Sequence, residues 1–135
     1  MQTTLGGAAV RIGGSCGHFR DINRSAKLDY AMEETIGAAD VPGIVLLHMP
    51  ESLLLDDARE RWTGQVFLSG HTHGGQIMLP WVTRQLVLPG MSAQGWFEGL
   101  YTTQAGPLFV TGGIGTIGLP ARLAVVPRID VLLLE

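Results

Sequence analysis

The sequence predicts an α/β domain organised around a largely parallel sheet. Three observations carry that reading: apolar runs of strand length at 44–47 and 66–69, amphipathic helical spacing in the segments before and between them, and 19 glycines in 135 residues. Strands alternating with helices build a parallel sheet with crossover helices on its faces. The glycine count, with 46% apolar and 16% charged residues, disfavours a helix bundle and predicts a loop-rich globular chain. A chain of this length has room for one hydrophobic core, so residues 1–135 are read as a single domain.

The elements follow in chain order. Residues 8–12 (AAVRI) read as a strand that breaks into a loop at Gly13 and Gly14. Ser25 is an N-cap for a helix over 25–39, where Leu28, Ala31, Met32, Ile36 and Ala39 share a face while Lys27, Glu33 and Glu34 stay in water. After the Asp40, Pro42 and Gly43 connection, residues 44–47 (IVLL) form a buried central strand bounded by His48 and Pro50. Ser52 caps a second helix with a stripe of Leu54, Leu55, Ala58 and Trp62, closed by Gly64. Residues 66–69 (VFLS) are the next buried strand, and the polar, glycine-rich 70–76 follows it directly.

The second half changes character. Between Ile77 and Gly99, proline and glycine surround Trp81, Leu86, Val87, Trp96 and Phe97, which predicts a long loop packed by its own aromatic side chains. Residues 101–103 and 108–111 read as a hairpin about Ala105, Gly106 and Pro107. Residues 112–122 (GGIGTIGLPAR) form a glycine-rich loop, and 129–134 a terminal apolar strand that needs neighbours on both faces.

Composition excludes several functions. A net charge of -3 without a basic cluster gives no nucleic-acid signature. No apolar run approaches membrane-spanning length, and residues 1–14 lack the pattern of a signal peptide. The lone Cys16 rules out an intrachain disulfide framework and fits a reducing compartment, so a cytoplasmic location is expected.

The chemistry-bearing residues lie at strand exits. His48 follows the run 44–47, and His71 and His73 follow 66–69. Side chains at the carboxyl ends of neighbouring strands converge in the crevice above an α/β sheet. Imidazoles in a His-x-His pair suit one ion or two adjacent ions, and Gly70, Gly74 and Gly75 leave space around them. Cys16, His18 and Asp21 also lie close in sequence, but Cys16 has no evident base partner.

The string LSGHTHGGQIMLP, residues 68–80, resembles the C-terminal histidine motif of the calcineurin-like metallophosphoesterases, in the branch where His-Thr-His is followed by Gly-Gly-Gln. Upstream, IVLLHMP at 44–50 resembles that family's strand ending in a metal-binding histidine. Downstream, residues 101–135 resemble its closing region of strand, glycine-rich turn, Pro-Ala-Arg and last strand. The resemblance is clearest over 43–135 and weaker from Val10 onward. It implies the C-terminal portion of a two-sheet αββα sandwich, incomplete in this chain. It also implies two bridged divalent cations (Mn, Fe, Zn, Ni or Co), with His48 and His71 on one and His73 on the other. Such a pair delivers hydroxide to phosphorus and stabilises charge on the phosphoryl oxygens.

The family's N-terminal strings Asp-x-His, Gly-Asp and Gly-Asn-His do not occur in this sequence. The expected function is therefore metal-dependent phosphoester hydrolysis by a fold whose carboxylate ligands this chain lacks. The alternative is a catalytically inactive metal-binding or interaction remnant of that fold. Expected partners are a phosphoester small molecule or phospholipid-like substrate, and either a second copy of the chain or a separate N-terminal half. The segment GGIGTIG, 112–118, lacks the strand-to-long-helix context of a nucleotide fingerprint and reads as a tight turn beside the histidines. Arg122 is expected in an ion pair or in solvent rather than on phosphate, and Trp81, Trp96 and Phe97 in packing rather than a substrate wall.

Overall fold

The computed structural model describes residues 2–15, 42–54, 65–79 and 94–134. Six strands form one mixed sheet: β1 (Gln2–Leu5), β2 (Ala8–Ser15), β3 (Gly43–Leu47), β4 (Val66–Ser69), β5 (Gly99–Thr102) and β6 (Pro107–Val110). Their spatial order is β1-β2-β3-β4-β6-β5. The four inner strands run parallel, and β1 and β5 close the two edges antiparallel to their neighbours. The described residues thus form a mixed-sheet α/β domain consistent with part of a metallophosphoesterase-like fold.

The core lies on one face of the inner strands. Val45, Phe67 and Leu108 occupy one row across β3, β4 and β6, and Leu47, Ser69 and Val110 the next row on the same face. The apolar members of both rows are buried, joined by Leu53 and Ala105, with Trp96 and Tyr101 packed against them. Side chains two apart on a strand share a face, so each strand contributes one residue to each row. These strands are central as predicted, and the two residues after Leu47 and Ser69 therefore emerge side by side.

Three expectations change. The first strand does not break at Gly13 and Gly14, because β2 continues through both to Ser15 in register with Val45, Leu46 and Leu47. A β-carbon on Gly14 would lie 2.8 Å from the Leu46 carbonyl oxygen, so the glycine permits close strand approach instead of ending the strand. The Ser52-capped helix is replaced, over its described residues, by a 3-10 turn at Pro50–Leu54. Proline is suited to the first position of that turn, and its buried ring and Leu53 fasten it to the core.

The terminal strand is also overturned. Residues 129–134 pair with no strand among the described residues, and Ile129, Val131 and Leu133 are 84%, 92% and 82% exposed. β5 and β2 already occupy the outer sides of β6 and β3, so an apolar strand-like sequence here finds no free inner position. Ile114, Ile117, Leu119 and Val126 are exposed in the same half of the chain. The hairpin prediction agrees with β5 and β6, and Phe97 is buried as expected, with Trp96 half-buried. The helix over 25–39, most of the second helix, Cys16, His18, Trp81, Leu86 and Val87 lie outside the described residues.

Glu51, in the turn after His48, carries a prediction of its own. Both carboxylate oxygens are shielded from solvent, and burial raises its pKa above the ordinary 4.5. A raised folded-state pKa means that the carboxyl's contribution to stability is full below the ordinary value and is lost as pH rises through the folded one. Glu51→Gln is expected to raise the unfolding midpoint at pH 7 and to lose that advantage near pH 4, as read by thermal melts at the two pH values.

Candidate metal centre

His48 and His71 come together because β3 and β4 are parallel neighbours whose last residues, Leu47 and Ser69, are in register. Their ring centroids are 4.5 Å apart in an edge-on arrangement. Ser69 steadies the crossing by donating from its buried hydroxyl to the His48 carbonyl at 3.1 Å. His48 is exposed, while His71 and His73 are half-buried. Partial burial, and then the nearby His48 and His73 rings, lower the His71 pKa. The neutral, lone-pair-bearing form of His71 is thereby favoured, and that is the form that ligates metal.

The loop carrying His71 and His73 is wound unusually. Positive φ occurs at His71 (67°), His73 (51°) and Gln76 (52°), as well as at Gly74 (62°) and Gly75 (85°). Each non-glycine residue in that region costs about 1–2 kcal/mol, and such strain gathers at functional sites. Thr72 alternates with the two histidines: it is buried, donates to the Phe97 carbonyl at 2.5 Å, and accepts from the Gly74 amide at 3.3 Å. Thr72 therefore anchors inward between two outward-turning imidazoles.

Gln76 ties this loop to residues 112–119. Its amide nitrogen donates to the carbonyls of Ile117 and Leu119 at 3.0 and 2.9 Å, and its amide oxygen accepts from the Ile117 amide at 2.7 Å. The main chain repeats the connection, since Leu123 N–H donates to Gln76 O and Met78 N–H to Leu123 O. Gly74 and Gly112 pack backbone to backbone, and a β-carbon on either would lie within 2.8 Å of the Glu98 carboxylate. The glycine-rich 112–118 thus lies beside the histidine loop, as the sequence predicted, with Gly112 packed against it and 114–118 exposed. Its position follows from β6 being the next parallel strand, with the Thr111 amide donating to Ser69 O at 2.9 Å.

His73 faces this turn, where its Nδ1 lies 3.0 Å from Gly115 O. Among the described residues Arg122 is held by carbonyls rather than by a carboxylate: Nε and Nη2 donate to Gly115 O, Nη1 to His73 O, and Nη2 also to Gly112 O. Carbonyls gathered by the glycine turn match the fixed geometry of a guanidinium fork, which is why Arg122 binds the backbone where an ion pair or solvent was expected. The structural parts of Thr72, Gln76 and Arg122 were not read from the sequence. The positive-φ loop that requires them could have been inferred only from the His-Thr-His-Gly-Gly-Gln string as a unit.

The candidate donors are three imidazoles, chemically suited to a divalent metal, on two neighbouring strand exits. Two imidazoles converge, one biased toward its neutral form, and a third lies across the same loop. The opposite side is not supplied by the described residues, among which no group of three or more His, Cys, Asp or Glu side chains is gathered to hold an ion. Asp130 is engaged by the Thr111 hydroxyl at 2.6 Å and by Arg128 at 2.9 Å. Among the described residues, no helix is long and apolar enough to cross a membrane.

No family model matches the chain, and no solved structure matches it. It is 35% identical over 92 residues to the uncharacterized metallophosphoesterase YkuE of Bacillus subtilis, covering 68% of this chain and 30% of that protein. Uncharacterized metallophosphoesterases from two strains of Helicobacter pylori are each 32% identical over 127 and 131 residues. Those alignments cover 82% and 90% of this chain, and 31% and 32% of the relatives. The chain spans about a third of the length of the curated relatives it matches. At the level of the family, this chain is a homologue of the metallophosphoesterases.

Proposed function

We propose that this chain forms the histidine side of a metallophosphoesterase centre, binding a divalent ion through His48 and His71 but not hydrolysing phosphoesters by itself. The observation that carries the reading is the edge-on approach of His48 and His71 at the ends of adjacent parallel strands, on a loop held in strained backbone. His73 is the donor for a second ion in the same reading. A hydrolytic two-metal centre also needs bridging and charge-balancing carboxylates. Their source is the larger part of the relatives' length that this chain does not span. With that part in place, the function is phosphoester hydrolysis on a small-molecule or phospholipid-like substrate within the two-sheet sandwich.

The exposed apolar run Ile129, Val131 and Leu133 favours association as the companion role, with a second copy or a separate N-terminal half. The proposal is tested by incubating the purified chain with Mn2+ or Zn2+, measuring bound metal, and assaying an aryl phosphodiester beside a full-length relative. Histidine-dependent metal binding without turnover is expected. Turnover by the wild-type chain that disappears in His71→Ala and His73→Ala would overturn the assignment of the chain as inactive alone.

A further inference from the structure

We propose that Arg122 is a positioning residue for His73, fixing the tautomer and direction of its imidazole through the Gly115 carbonyl. The proposal rests on the reading of His73 as a metal-facing donor. Gly115 O can only accept, so the ring nitrogen 3.0 Å from it, Nδ1, carries the hydrogen. In the neutral ring, Nε2 is then the bare lone pair, available to a cation. That outcome depends on where the Gly115 carbonyl is held, and residues 114–121 are exposed.

Arg122 supplies the hold at both ends of the contact. Nη2 and Nε donate to Gly115 O at 2.6 and 3.1 Å, so the acceptor facing the ring is fixed. Nη1 donates to the His73 carbonyl at 3.1 Å, so the backbone bearing the ring is fixed by the same planar group. Nη2 also reaches Gly112 O at 2.7 Å, which joins the start of the turn to the rest. A fork of rigidly disposed donors can bind three carbonyls at once, whereas the single ammonium of lysine cannot reproduce the arrangement. His73 has positive φ and is thus on backbone that does not hold its own direction cheaply, which gives the external clamp its purpose.

The test uses the full chain, metal-free and 15N-labelled, with imidazole tautomers read from long-range proton–nitrogen correlations. Wild-type His73 is expected as the Nδ1–H tautomer, with a slowly exchanging Arg122 Nε–H. Arg122→Ala and Arg122→Lys are both expected to shift His73 toward the Nε2–H form usual for solvated histidine, leaving the His71 signals in place, and to raise about 10–100-fold the Mn2+ concentration needed to broaden the His73 signal. Wild-type His73 in the Nε2–H form, or variants that keep the Nδ1–H form, would overturn the proposal. Should both variants lose their dispersed amide spectrum, the wild-type arginine signal decides, since rapid exchange of Arg122 Nε–H is incompatible with the clamp. The expected tautomer shift in a chain whose His73 signal is untouched by Mn2+ would support the clamp while removing the metal reading beneath it.

Discussion

His71→Ala is expected to lower Zn2+ or Mn2+ affinity by at least about 100-fold, because loss of a direct donor should exceed the 10–100-fold typical of losing a group that merely orients one. Its fold should survive. The side chain is half-buried at the surface end of β4, and its removal leaves the Val45, Phe67 and Leu108 row untouched. Alanine inherits the same unfavourable φ of 67° that histidine already tolerates, so the substitution adds little backbone strain. His71→Asn offers a stricter comparison, since asparagine adopts left-handed backbone more readily and should match or exceed wild-type stability while losing the imidazole. Isothermal titration beside thermal melts separates the two effects: metal heat should vanish in both variants with the melting transition retained.

Phe67→Ala should be the most damaging core substitution, destabilising the chain by about 3–5 kcal/mol. Phe67 is fully buried in β4, the strand that delivers His71, and lies between Val45 and Leu108 in one row of the sheet. Whole domains are stable by only about 5–15 kcal/mol, so this single cavity consumes a large fraction of the total. Urea unfolding of the variant should show a strongly lowered midpoint. Leu100→Ala, at a residue 73% exposed on the edge strand β5, should move it by no more than about 0.5 kcal/mol. Loss of metal binding in Phe67→Ala should track the unfolded fraction, unlike the loss in His71→Ala.

Much of the site was legible in the sequence because its position follows from strand ends. The runs 44–47 and 66–69 are short, apolar but for Ser69, and each followed at once by histidine or by Gly-His, so convergence of His48 and His71 needed only that the strands be parallel neighbours. The hairpin was equally local, with Gly106 and Pro107 marking its turn. What failed depended on distant partners. Gly13 and Gly14 carry the punctuation of a loop, yet contact with Leu46, a residue far along the chain, makes the strand continue through them. Residues 129–134 have strand composition, but composition does not provide an edge to pair with. The Arg122 clamp is likewise invisible to spacing rules, since its acceptors are carbonyls exposed by the particular winding of 73–76 and 112–118. The direction of His73 was missed for the same reason: a single residue separates it from His71 in sequence, but that inward-anchored Thr72 and positive φ on both sides of it send His73 toward Gly115.

The most direct test of the central claim, that His48 and His71 face one ion together, is a Mn2+ titration of the 15N-histidine-labelled chain followed by nuclear magnetic resonance. Paramagnetic broadening falls steeply with distance, so rings sharing an ion must respond together. The account predicts that the His48 and His71 signals vanish in step on substoichiometric addition and that His71→Ala restores the His48 signal at the same Mn2+ concentration. Broadening confined to carboxylate-bearing regions, or His48 responding undiminished in His71→Ala, would contradict it.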